Sequence, residues 1–231
     1  MTQGEIGYTL QNSLQMAFRN HEINRPVVSI VTQVVVDKND PAFQRPTKPI
    51  GPFYSKETAE RKRKELGWNI IEDAARGYRR VVPSPFPKDI VELEVIKGCL
   101  ERNIVVVAVG GGGIPVILED GRVKGIEAVI DKDRASALLA AKLGIEHFII
   151  STEVQEVYVN YKKPNQQKLR TIKIADAKKF LADGQFSEGS MKPKIEAAMD
   201  FLNNGGIAVT ITDPQHLTAA LDSEAGTRLV K

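Results

Sequence analysis

Apolar residues at Ile6, Leu10, Leu14 and Phe18 recur at the spacing of one helix face and predict a helix over that stretch. Val27 to Val36 is β-branched almost throughout, stops at Asp37 and predicts a strand. The pattern then breaks. Seven prolines (41, 46, 49, 52, 83, 85 and 87) fall between Pro41 and Pro87, with a short basic helix and few long apolar runs. Between Arg45 and Arg80, ten Lys/Arg stand against five Asp/Glu. We read residues 41–88 as an excursion, a small subdomain inserted in a single domain spanning 1–231.

Regular alternation resumes after Pro87. Asp89 is placed to N-cap a helix whose face is Ile90, Leu93, Ile96 and Leu100. A strand over Ile104 to Val109 runs into Gly110-Gly111-Gly112-Gly113, and Glu119-Asp120-Gly121-Arg122 predicts a hairpin turn. Asp131 to Leu143 reads as a helix closed by Gly144. Strands follow at His147 to Ser151, Glu156 to Tyr161 and Ile172 to Ile174, then a helix at Asp176 to Ala182. Ser190-Met191-Lys192-Pro193-Lys194 opens a helix that closes at Gly205-Gly206. Ile207 to Ile211 and Thr227 to Val230 are strands flanking a short helix at His216 to Leu221. Strands alternating with helices predict an α/β layered sheet.

Composition narrows the function classes. The chain has 231 residues, 42% of them hydrophobic, which is enough for a sizeable core and excludes general disorder. A net charge of +3 and 6% aromatic residues give no surface for nucleic acid. No apolar run approaches the ~20 residues of a membrane helix. The opening Met1 to Glu5 has neither a basic nor an apolar targeting region, and the lone Cys99 fits a reducing compartment. A cytoplasmic protein is expected, with Cys99 as a small buried hydrophobe.

Four stretches can carry chemistry. The glycine run can let backbone N–H groups approach an anion, or can be a plain tight turn. It fits no dinucleotide fingerprint, because Pro115 stands where the third glycine belongs, and no Gly-Lys-Ser or Gly-Lys-Thr exists for a Walker loop. Asp131-Lys132-Asp133 can be ordinary helix capping, or a lysine held between two carboxylates and aimed at an anion. Lys192 and Lys194 at a helix start oppose the helix dipole, which a bound anion would relieve; a solvated charge pair is the alternative. Lys48 sits in a stretch stiffened by Pro46, Pro49 and Pro52. The run Arg61-Lys62-Arg63-Lys64 reads as a solvated helix face. His21, His147 and His216 have no metal-ligand spacing, so no protein-borne metal site is expected.

Together these stretches resemble the carbamate kinase family. The resemblance rests on Gln3 to Tyr8, Thr47-Lys48-Pro49-Ile50-Gly51-Pro52-Phe53-Tyr54, Arg79 to Pro85 and Gly110 to Val116. It continues through Glu127 to Asp133, Val157 to Tyr161 and Gly189 to Lys194, covering essentially the whole chain. It implies a three-layer α/β sandwich around a mostly parallel sheet, with a small subdomain protruding over the site. It also implies a homodimer that interconverts ATP plus carbamate with ADP plus carbamoyl phosphate, using Mg²⁺ with the nucleotide, as in arginine breakdown. By that resemblance Lys132 and Lys194 lie along the transferring phosphoryl group, Asp133 orients them, and Lys48 reaches toward carbamate. Gly110, Gly111, Gly112 and Gly113 would approach the substrates, while Tyr158, Asn160, Met191 and Lys192 would border substrate and nucleotide. The family's N-terminal strand, Gly-Gly-Asn-Ala loop and Gly-Asn-Gly-Pro loop have no counterpart here. That leaves two other expectations beside the enzyme: a kinase for another carboxylate or a nucleotide, and a non-catalytic chain that binds nucleotide or pairs with a partner.

Overall fold

A computed structural model describes residues 2–73 and 76–231; Ala74 and Ala75, in the middle of the 41–88 excursion, lie outside the described residues. The chain divides into two compact units, Met1–Lys132 and Asp133–Lys231.

The first unit begins with α1 (Thr2–Asn20), then β1 (Val27–Ser29) and β2 (Gln33–Val36). The run expected as one strand is thus two, and they join different sheets. The excursion supplies β3 (Lys48–Tyr54), α2 (Lys56–Leu66), β4 (Ile70–Glu72) and β5 (Tyr78–Val82), with strand order β3-β5-β4, both pairs antiparallel. Next come β6 (Pro87–Ile90), α3 (Leu93–Glu101), β7 (Val105–Val107), β8 (Ile114–Glu119) and β9 (Arg122–Gly125). Asp89 does not cap α3: it lies in β6 against Val35, and the N-cap is Glu92. The hydrogen bonds that β6 makes along β2 outweigh a local capping preference. β1 pairs with β7 and β2 with β8, both parallel, while β8 and β9 form the expected hairpin with Asp120 and Gly121 at positive φ.

One face of α1 replaces a neighbouring strand for β1. Gln15 Nε2 donates to the Val27 carbonyl at 3.2 Å, and Gln11 Oε1 accepts the Ser29 N–H at 2.7 Å. Gln3 accepts from the Thr32 N–H at 2.9 Å and donates to its carbonyl at 3.1 Å. Gly7 completes this i, i+4 row. A Cβ there would stand 2.1 Å from Ser29 Oγ, so any larger residue would displace that hydroxyl and press on Ser29 Cβ at 3.2 Å; glycine allows the close approach despite its cost of about 1 kcal/mol in a helix.

The second unit follows from α4 (Lys132–Lys142), whose first residue belongs to the first unit, and holds β10 (His147–Ser151), β11 (Val157–Val159), β12 (Gln167–Leu169) and β13 (Thr171–Lys173). Then come α5 (Ile174–Ala182), α6 (Met191–Asn203), β14 (Ala208–Thr212), α7 (Leu217–Leu221) and β15 (Thr227–Val230). Strand order is β10-β14-β15-β13, with β10/β14 and β13/β15 parallel and β14/β15 antiparallel. Ile195, Phe201 and Leu202 of α6 pack with Val209, Ile211 and Leu229 in its buried core. Ala137 and Ala140 bring α4 onto the same core.

Two local expectations are corrected. Lys62 is not merely solvated: its ammonium lies 5.2 Å from the Tyr54 ring centre and 4.8 Å from that of Trp68. Arg63 donates to the Ile70 carbonyl at 2.9 Å, leaving Arg61 and Lys64 to the exposed face. Cys99 is half-buried rather than buried. Among the described residues no helix is long and apolar enough to cross a membrane.

Candidate active site

Two lysine–aspartate pairs flank the start of α4. In the first unit Lys48 opens β3, paired across the sheet with Val82, and its Nζ donates to Asp131 Oδ2 at 2.7 Å. Asp131 is buried, whereas the Lys48 side chain keeps 34% of its exposure. In the second unit Lys194 Nζ, on the first turn of α6, donates to Asp133 Oδ2 at 3.0 Å. Both partners of that pair are about nine-tenths buried, at 10% and 9% side-chain exposure. At that burial little water competes for either charge, which holds the ammonium in place. Arg134 to Glu196, at 2.7 Å, ties α4 to α6 a second time.

The two carboxylates flanking Lys132 therefore each accept from a lysine distant in sequence, and Lys132 itself opens α4 exposed. The charge conflict expected at the start of α6 is met within the chain. Lys194 has Asp133, and Lys192 Nζ reaches both Glu188 carboxylate oxygens at 2.8 and 2.9 Å. Glu188 holds the Lys192 ammonium above its ordinary pKa.

The glycine run forms a tight turn after β7. A Cβ on Gly112 would lie 2.1 Å from the Ile130 carbonyl oxygen, and one on Gly113 2.3 Å from Val34 Cγ2. Both have positive φ, so these two positions require glycine twice over. The run thus packs directly against the backbone that leads into Asp131.

Tyr158, Asn160 and Met191 meet around a cavity of about 500 Å³ in the second unit. Lys192 is not among the residues that line it. Asn160 has φ 52°, a left-handed conformation in which its N–H donates to Gln185 Oε1 at 2.9 Å. Tyr158 Oη donates to Glu156 Oε2 at 3.3 Å; burial and the Glu156 charge push its hydroxyl pKa up. Glu156 is buried and stands 3.6 Å from Lys168 and 3.8 Å from Arg170. Glu156 and Gln185 were not candidates from sequence. Their signal is the antiparallel pairing of β11 with β12 and the return of the chain at Gln185, neither of which has a local pattern. Among the described residues no group of three His, Cys, Asp or Glu side chains is arranged to hold a metal ion.

The sequence profile of the amino acid kinase family matches residues 47–213. Carbamate kinase 2 of Enterococcus faecalis is 48% identical over 98% of this chain and 73% of its own length. The carbamate kinase of Pyrococcus furiosus is 48% identical over 100% of this chain and 73% of its own. Among solved structures, carbamate kinase from Giardia lamblia bound to AMP-PNP superposes with TM-score 0.90 at 41% identity, again covering 100% of this chain and 73% of that one. The same protein bound to citric acid gives TM-score 0.91 at 40% identity. The chain spans about three quarters of the length of these relatives, and by this similarity, continuous from end to end of it, it belongs to the carbamate kinases of the amino acid kinase family.

Proposed function

We propose that the chain transfers a phosphoryl group between ATP and carbamate, reversibly forming ADP and carbamoyl phosphate. The observation that carries this is its similarity to carbamate kinases over 98–100% of its length. The alternative of a non-catalytic nucleotide-binding chain has no support in the comparisons. In the forward direction a carboxylate oxygen of carbamate attacks the γ-phosphorus, and the bond from that phosphorus to the β,γ-bridging oxygen breaks, releasing ADP. Such a transfer needs positioning and positive charge around the equatorial oxygens, with no nucleophilic side chain.

The residues supply those needs in parts. Lys194, fixed by Asp133, is the cation for the transferring group, joined by Lys132 at the mouth of α4. Lys48, fixed by Asp131 and more exposed, is the cation for carbamate, whose negative charge would otherwise repel ATP. In the run Gly110 to Gly113, the exposed Gly110 and Gly111 offer backbone N–H groups to the same substrate, while those of Gly112 and Gly113 close the turn. The cavity around Tyr158, Asn160 and Met191 takes the nucleotide, in keeping with the nucleotide analogue bound by the Giardia lamblia relative. Lys192 serves at its edge as a screened charge. Mg²⁺ arrives with the nucleotide and is held chiefly by its phosphates, as this hard ion prefers. The 41–88 excursion acts as a subdomain carrying Lys48 to the site, and the enzyme works as a cytoplasmic homodimer in arginine breakdown, where the reverse direction makes ATP.

The test is ATP formation from ADP, Mg²⁺ and carbamoyl phosphate by the purified protein, with acetyl phosphate as the rival donor. Turnover with carbamoyl phosphate and little with acetyl phosphate is expected. A preference for acetyl phosphate would replace carbamate by another carboxylate.

A further inference from the structure

Val109 is a β-branched residue in left-handed backbone, φ 47° and ψ 30°, immediately before the glycine run. Such a residue is a true outlier and persists only where its surroundings over-determine it. Those surroundings are on the page. The Val109 N–H donates to Thr32 Oγ1 at 3.0 Å, and that hydroxyl donates onward to the Ile30 carbonyl at 2.9 Å. Thr32 is wholly buried, and Gln3 grips both its N–H and its carbonyl from α1. The same carbonyl accepts the Ile114 N–H at 2.8 Å, on the far side of the glycine run. One residue therefore anchors the run at both ends.

The turn's own closing bonds use the N–H groups of Gly112, to the Val109 carbonyl at 2.9 Å, and Gly113, to the Gly110 carbonyl at 3.1 Å. Gly110 and Gly111 are exposed and, with Gln3, line a cavity of about 130 Å³ in the first unit. Rotating Val109 out of the left-handed region would swing the peptide planes that follow it. We propose that Thr32 and Gln3 are positioning residues: they hold Val109 left-handed and so fix the direction in which Gly110 and Gly111 present their N–H groups to the phosphoryl-bearing substrate. This rests on the proposal that the glycine run meets that substrate.

The experiment compares T32V, T32S, Q3E, V109G and the double variant T32V/V109G, each with its melting temperature and separate KM values for carbamoyl phosphate and ADP. Thr32→Val keeps the shape but loses the hydroxyl, and is expected to raise the carbamoyl phosphate KM about tenfold with the ADP KM within twofold of the parent. Thr32→Ser keeps the hydroxyl and recovers most of the loss. Gln3→Glu retains the acceptor for the Thr32 N–H but sets a carboxylate against its carbonyl, and shifts the same KM even if T32V does not fold. V109G added to T32V restores the KM to within about threefold, because glycine takes the left-handed conformation without help. A merely structural role predicts both KM values unchanged beside a lower melting temperature, and no rescue by V109G; either result overturns the proposal. Hydrogen exchange of the Gly110 and Gly111 amides, with and without carbamoyl phosphate, separates the two layers. No protection in the parent protein refutes the glycine reading and the proposal with it. Protection there, with T32V and Q3E kinetically silent, refutes the positioning role alone.

Discussion

Two lysine–aspartate pairs of the same composition differ in one physical respect, their access to water. Lys194 and Asp133 are enclosed, whereas Lys48 keeps a third of its exposure above a buried Asp131. Burial makes the first pair a fixed charge, costly to break. In the second pair only the lysine is open to water, so solvent screens its ammonium and leaves it freer to exchange partners, while Asp131 stays as buried as Asp133. The lesson is that one motif, Asp-Lys-Asp, anchors two cations that differ in their access to water: an enclosed one on α6 and a more open one on β3.

The largest effect expected from breaking this contrast is at the enclosed pair. Lys194→Ala should lower kcat by about 10²–10³, the loss typical of one preorganised electrostatic contact. It should also lower the melting temperature by several degrees, because Asp133 is left buried without that lysine, a cost on the order of 3–5 kcal/mol. Full turnover in this variant would remove Lys194 from the site. Lys48→Ala should reduce kcat/KM for carbamoyl phosphate by about 10–100-fold while leaving ADP affinity nearly unchanged, and should also lower the melting temperature, because Asp131 is as buried as Asp133. A calorimetric loss of ADP binding with unaltered carbamoyl phosphate dependence would reverse the assignment.

Smaller effects sharpen the contrast from outside. Tyr158→Phe removes the hydroxyl that donates to Glu156 and should raise the ADP KM about two- to fivefold with kcat preserved; an unchanged KM would take Tyr158 off the nucleotide cavity. The smallest is a control on exposed charge. Glu119 lies between Lys124 and Lys38 on the β8–β9 hairpin, and their hydrogen bonds and charges lower its pKa from 4.5 to about 2. Its contribution to stability is therefore complete above pH 4.5 and disappears as pH falls through about 2. Carbon-detected titration of the Glu119 carboxyl should find that midpoint, and a midpoint near 4.5 would show the pairs to be unformed in solution.

Much of the second unit was legible because its signals are local. The alanine- and apolar-spaced helices and the strands at His147 to Ser151 and Thr227 to Val230 follow from period alone, and Gly144 ends α4 at φ 66° as its position suggests. The first unit was harder. Val27 to Val36 looks continuous in hydropathy, yet the chain changes sheet near Thr32, where the constraint comes from Gln3 and Val109, distant in sequence. The sheet formed by β3, β4 and β5 hid behind prolines: Pro49 and Pro52 lie in β3, whose register with β5 shifts between Ile50 and Tyr54. Of the site, Lys48, Asp133 and Lys194 were candidates because they sit in distinctive motifs. The resemblance sets Asp133 beside Lys194, whereas the pairing of Lys48 with Asp131 and the places of Glu156 and Gln185 have no local signal, since each depends on a tertiary approach.

The glutamine row of α1 sets unequal terms for chemical ageing. Slow conversion of a glutamine amide to an acid leaves an acceptor-only side chain. At Gln11, which accepts from the Ser29 N–H, that change keeps the bond and strengthens it with charge. At Gln15, which donates to the Val27 carbonyl, it sets oxygen against oxygen. Three residues of one type on one helix face thus differ in durability: position 11 tolerates the lesion, position 3 loses half its grip, and position 15 loses all of it.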